Sequence, residues 1–120
     1  MHKLSIKRVY EKPEKADGFR ILVDRLWPRG VSKSEAAVDL WLKDVAPSTD
    51  LRIWFNHEPE KFKDFSKKYT LELKHNPAVH EIEKELQKHN VTLIYAAKDP
   101  NINHAAVLYK FITDSIKKRL

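Results

Sequence analysis

The chain predicts a single α/β domain, a small Rossmann-like layering of about three to four mostly parallel strands flanked by helices. Three observations carry that prediction. Val91-Thr92-Leu93-Ile94-Tyr95-Ala96-Ala97 is apolar nearly throughout, as expected of a strand whose sheet is covered on both faces. It runs into a polar loop and then a helical stripe, which makes a strand–loop–helix unit. The apolar period also changes from about two residues before Thr49 to about 3.6 after it.

Each element has its own warrant. Leu4, Ile6 and Val9 make an alternating first strand, and a charged stretch from Glu11 to Asp17 leads to Gly18 and the apolar run Phe19–Val23, a buried second strand. Pro28 and Gly30 break the chain, and Ser32 with Glu35 three residues on forms a capping box that opens a short helix. Val38, Leu40 and Leu42 alternate with Asp39, Trp41 and Lys43, which predicts a short third strand or extended segment ending at Ala46-Pro47-Ser48. Leu51, Trp54 and Phe55 share one face of a short helix, and Pro59 suits the first position of the next. There Phe62, Phe65, Tyr69 and Leu73 form a core-facing stripe, and Val79, Ile82 and Leu86 repeat the pattern beyond Asn76-Pro77. Leu108, Phe111, Ile112 and Ile116 mark a long C-terminal helix.

Composition narrows the chemistry. A length of 120 residues fits one domain, 1–120, able to bury its own core. No apolar run approaches the roughly 20 residues needed to span a bilayer. The N-terminus lacks a secretory pattern, so a soluble, cytoplasmic protein with no membrane partner is expected. Zero cysteine removes disulfides, thiolate nucleophiles and cysteine-bound zinc. Two glycines are too few for a dinucleotide or Walker loop, and the histidines show no metal-binding spacing. Neither a cofactor nor a metal is expected. The net charge of +6 lies mostly in residues 61–120, where Lys61, Lys63, Lys67, Lys68, Lys74 and the closing Lys117-Lys118-Arg119 form a basic surface. A solvated helix face explains these lysines more readily than a nucleic-acid footprint does.

The candidate site centres on Val23-Asp24-Arg25-Leu26-Trp27-Pro28-Arg29-Gly30, which emerges where the second strand leaves its sheet. Should that strand and Val91–Ala97 be parallel neighbours, a second loop, Lys98-Asp99-Pro100-Asn101-Ile102-Asn103-His104, converges on the same crevice. Arg25, Arg29 and Lys98 would then meet a carboxylate or phosphate, with Asp24 and Asp99 beside them. Trp27 offers a stacking face or caps the core. His104, near the start of the last helix, is the candidate for proton transfer, with packing as its alternative. An ion pair between Asp24 and Arg25 that simply closes the turn competes with a ligand role.

The octapeptide, together with Trp41-Leu42-Lys43-Asp44-Val45-Ala46-Pro47-Ser48, Leu51-Arg52-Ile53-Trp54-Phe55 with His57, and Tyr95-Ala96-Ala97-Lys98-Asp99, resembles the YeaO-like branch of the domain-of-unknown-function family numbered 488. The resemblance spans almost the whole chain. It implies an α/β domain of bacterial type, and it adds Arg52 and His57 as residues of the same crevice. More distant members carry a Cys-His-Arg element where this chain has Asn103-His104-Ala105, so only the histidine matches. The missing cysteine and arginine argue against cysteine-dependent chemistry and leave anion binding through Arg25 and Arg29 open.

Three readings of function follow. One is an enzyme acting on a phosphorylated or nucleotide-like small molecule, with Arg25, Arg29 and Lys98 on the anion, Asp24 orienting them, and His104 as general acid or base. The second is a non-catalytic nucleic-acid or nucleotide-binding module that uses the lysine-rich surface, with Trp27 or Trp41 for stacking. The third is a structural or adaptor domain. The sequence leaves the oligomeric state open.

Overall fold

The computed structural model describes residues 2–119. Four strands, β1 (Leu4–Arg8), β2 (Phe19–Leu22), β3 (Leu40–Trp41) and β4 (Val91–Tyr95), form one sheet in the order β1-β4-β2-β3. Every pairing is parallel, so all four carboxyl ends lie along one edge. Five α-helices lie among the described residues: α1 (Lys33–Ala36), α2 (Thr49–Phe55), α3 (Phe62–Lys74), α4 (Val79–Leu86) and α5 (His104–Arg119). None is long and apolar enough to cross a membrane among the described residues.

The period of two along the strands sorts side chains between two unequal layers. Ile21, Val23, Val91, Leu93 and Tyr95 face the large core built with α2 to α5, where the predicted stripe Phe65, Tyr69 and Leu73 is fully buried. Leu22 and Ile94 face the opposite, smaller cluster with Val9 and Ala36, over which Trp27 and Trp41 pack edge to face. That face also holds Arg20, 4% exposed, whose guanidinium donates to Asp17 Oδ2 at 2.6 Å and to the Ala36 carbonyl at 2.8 Å. Lys7 Nζ reaches the same Asp17 carboxylate at 3.0 Å, so each buried charge has an opposite partner.

Capping follows the sequence closely. Ser32 and Glu35 close the capping box on α1 in both directions, and Ser48 caps α2. Pro59 opens a 3-10 turn that continues directly into α3. Three predicted strands are shorter than their apolar runs, the second only by its last residue, Val23. The third is held to Leu40–Trp41 between the left-handed residue Ala37, which ends α1, and a 3-10 turn at Lys43–Val45. β4 stops at Tyr95 because the Ala96 N–H leaves the ladder for Asp24 Oδ2, 3.1 Å away. Gly18 precedes β2 at φ 67°, where a Cβ would stand 2.3 Å from the Asn90 carbonyl oxygen. Only glycine lets the backbone pass there.

Candidate functional site

A cavity of about 610 Å³ opens at the carboxyl edge of the sheet, a size suited to a small molecule. All four strand exits contribute to it. Arg8 and Tyr10 follow β1; Asp24, Arg25 and Leu26 follow β2; Ala46 and Pro47 follow β3; and Ala96 to Asp99 follow β4. Arg52, Phe55 and His57 come from α2 and its exit, Phe65 from α3, and Ile102, Asn103 and His104 from the start of α5. Four permanent cations, Arg8, Arg25, Arg52 and Lys98, therefore face two carboxylates, Asp24 and Asp99, over an apolar wall of Phe55 and Phe65.

Asp24 and His104 meet at the centre. His104 is the first residue of α5, and its Nε2 lies 3.1 Å from the Val23 carbonyl oxygen. A carbonyl only accepts, so Nε2 carries the hydrogen in this contact. Asp24 Oδ1 stands 3.1 Å from the same nitrogen but out of line with its N–H. The other oxygen, Oδ2, accepts from the Ala96 N–H. Asp24 thus bridges the exits of β2 and β4, and its carboxylate turns to His104 rather than closing the turn on Arg25.

Arg25 differs from Arg20 in an informative way. Arg20 is buried with a carboxylate and two carbonyls on its guanidinium. Arg25 Nη2 touches only the Ala46 and Pro47 carbonyls, both at a long 3.3 Å, and its buried Nε reaches no acceptor. Among the described residues no carboxylate is paired with it. A half-buried guanidinium in that state is unusual, because an unsatisfied charged donor costs more than a neutral one.

The predicted site residues fall into three groups. Asp24, Arg25, Lys98, Asp99, His104, Arg52 and His57 line one cavity. Asp99 also shapes the loop, since its Oδ1 accepts the Asn101 and Ile102 N–H groups at 2.8 and 3.0 Å. Trp27 lies elsewhere, in the small cluster against Trp41, with its indole N–H on the Val31 carbonyl at 2.6 Å. Arg29 is exposed and not part of the cavity wall, and its carbonyl accepts from the Tyr10 hydroxyl at 3.0 Å.

Three contributors escaped the sequence reading. Arg8 leaves β1 in register with Tyr95, donates to the Ala97 carbonyl at 2.9 Å and lies over the Tyr10 ring at 4.5 Å. A basic residue at a strand's carboxyl end was the available signal for it. Tyr10 had none beyond adjacency to that strand end. Asn103 is the N-cap of α5, accepting from the Ala106 N–H at 2.8 Å, and an asparagine just before an apolar stripe marks such a position. No group of three or more metal-ligating side chains is gathered anywhere among the described residues.

Comparison with known proteins places this geometry in a family. The family described as the inactive DUF488-N3 subclade matches residues 3–120. YeaO of Escherichia coli K12 is 43% identical over 106 residues, covering 88% of this chain and 92% of its own. Rv3073c of Mycobacterium tuberculosis and Mb3100c of Mycobacterium bovis are each 41% identical over 110 residues, covering 92% of this chain and 93% of theirs. All three are described as uncharacterised proteins. No solved structure matches the chain. With its four motifs in order, and a match over nearly its full length, the chain belongs to the DUF488 family, in the inactive N3 subclade.

Proposed function

We propose that the strand-edge cavity binds a small anionic molecule and holds it without turning it over. The unpaired Arg25 guanidinium carries this reading. A half-buried guanidinium held only by two long carbonyl contacts is stabilised when an anion enters beside it. Arg8, Arg52 and Lys98 add positive potential around it, and Phe55 and Phe65 offer apolar surface to the remainder of the ligand. The subclade's description as inactive agrees with binding rather than catalysis.

The test is thermal unfolding and calorimetry with inorganic phosphate, pyrophosphate and small carboxylates. At least one should raise the unfolding midpoint of the natural chain, since anything that binds only the folded state stabilises it by mass action. Arg25→Gln should remove that shift and keep the circular dichroism spectrum. A shift of equal size in Arg25→Gln, or none with any anion, defeats the proposal.

The 3.1 Å approach of Asp24 to His104 supports a second reading, an enzyme on a phosphorylated or nucleotide-like small molecule. With Nε2 holding the hydrogen, Nδ1 is the nitrogen that would take a proton from substrate. Turnover lost in His104→Gln while anion binding persists would favour this reading over simple binding. Nucleic acid binding is the remaining alternative, and salt separates it. An oligonucleotide affinity that falls steeply with salt, and collapses in Lys67→Ala/Lys68→Ala, would favour the basic surface over the cavity.

A further inference from the structure

We propose that the ligand of this cavity is a small dicarboxylate, held with one acid group on Arg25 and the other on Arg8. The inference rests on the anion-binding reading above and names the class of ligand. Parity and strand order place the two arginines for it. Leu4 and Ile6 of β1 turn to the large core, as do Ile21 and Val23 along β2. Two residues further on, Arg8 and Arg25 line the cavity on that same face. β4 runs between their strands, which therefore stand about 10 Å apart, twice the usual spacing. Arg8 is level with Tyr95, and the Val23 N–H donates to the Ile94 carbonyl, so the arginines leave on either side of the β4 exit.

Neither side chain is saturated. Arg8 Nε donates to the Ala97 carbonyl at 2.9 Å and to Ala96 at 3.3 Å, and the Tyr10 ring backs its guanidinium at 4.5 Å. Its two terminal nitrogens make no hydrogen bond among the described residues, and neither does Arg25 Nη1. On these two side chains only Arg25 Nε is both buried and unpartnered, so the three terminal nitrogens are open to a ligand. Glu11, just beyond β1, accepts the Arg8 backbone N–H and forms no ion pair with the guanidinium. Arg8, Arg25, Arg52 and Lys98 in fact make no ion pair among the described residues, whereas Lys7 and Arg20 on the opposite face are both paired with Asp17. Set against Asp24 and Asp99, the four cations leave a formal excess of two positive charges, which two carboxylates cancel. Two phosphates would overshoot it, since each carries about −1.5 to −2 near neutrality. One phosphate matches the charge but supplies a single acid group for two separated forks.

Calorimetry on the full chain tests this with succinate, glutarate and adipate, each set against its half-amide, which keeps the length and loses one charge. At least one dicarboxylate should bind about tenfold or more tightly than its half-amide, the gain expected of a second charge-assisted contact, and more tightly than inorganic phosphate. In Arg8→Gln the advantage over the half-amide should shrink to about twofold or less, at an unchanged circular dichroism spectrum. Arg8→Lys, which keeps the charge without the fork, should fall in between. If no dicarboxylate exceeds its half-amide, if phosphate binds more tightly than all three, or if Arg8→Gln keeps the full advantage, the dicarboxylate inference fails. Anion binding then stands as long as some anion binds and Arg25→Gln abolishes it. If no anion binds at all, both fail. Should Arg8→Gln not fold, Arg8→Lys carries the comparison, and an undiminished advantage there overturns the proposal.

Discussion

At the residue scale, backbone conformation separates positions that sequence treats alike. Gly18 and Gly30 both have positive φ, 67° and 76°, yet only Gly18 faces a wall. Gly30→Ala should cost about 1 kcal/mol, the strain of a left-handed alanine alone. Gly18→Ala should cost clearly more, because its Cβ collides with the Asn90 carbonyl and the strand must move. Denaturant midpoints of the two variants check the order. Asn56 and His57 are successive left-handed residues, at φ 47° and 54°, and His57 lies at the cavity. Strain of this kind persists where neighbouring structure over-determines it, commonly at binding sites. His57→Gly should therefore raise stability by roughly 0.5–1 kcal/mol. The same variant should weaken binding of the anion that stabilises the natural chain, and a lower melting temperature would show that the imidazole packs rather than strains.

At the element scale, the cavity depends on how α2 is anchored. Ser48 caps α2 through its hydroxyl, which accepts the Leu51 N–H at 3.2 Å and donates to Glu72 Oε2 of α3 at 2.6 Å. Glu72 Oε1 also accepts the Ser48 N–H at 2.9 Å, so one carboxylate seats the start of the helix that carries Arg52 and Phe55. Glu72→Ala should lower stability by about 1–2 kcal/mol, the usual worth of a cap and a charge-assisted hydrogen bond. Hydrogen exchange should rise in residues 49–57 before it rises in β4. Along the chain Ser48 reads only as the end of an extended segment, because the clamp that gives it this role joins residues 24 apart.

At the scale of the whole molecule, the two faces of the sheet hold charge differently. On the small face Asp17 binds Lys7 and Arg20. Burial works against the Asp17 carboxylate, but the Glu14 N–H and the two cations outweigh it and hold it below its usual 3.8. A depressed carboxylate favours the folded state above the unfolded value and loses that contribution as protons bind the folded form. Stability should thus be level above about pH 5 and fall as pH drops through 3.8 toward the depressed folded value. Asp17→Asn should flatten this acid limb and destabilise the protein near neutrality, measured by urea unfolding across pH. At the other extreme, burial pushes the Tyr69 hydroxyl far above 10, so its contribution lasts below pH 10 and fades above it.

Which features were legible in the sequence follows from their range. Apolar period, capping residues and glycine or proline breaks act within a few positions, and they marked four strands, five helices and two polar loops at strand ends. The same local signals, read with the family resemblance, drew seven of the nine named site residues from what became a single cavity. Sequence types alone could not separate Trp27 and Arg29 from Arg25, because the octapeptide is a turn and its side chains leave in different directions. The strand order β1-β4-β2-β3 was a decision of tertiary pairing, which inserts the last strand between the first two and so brings Arg8, Asp24 and Lys98 to one edge. Packing also settled which arginine is saturated and which is not. Arg20 and Arg25 look equivalent along the chain, and only the atoms folded around them give one a carboxylate and leave the other with a buried donor unanswered.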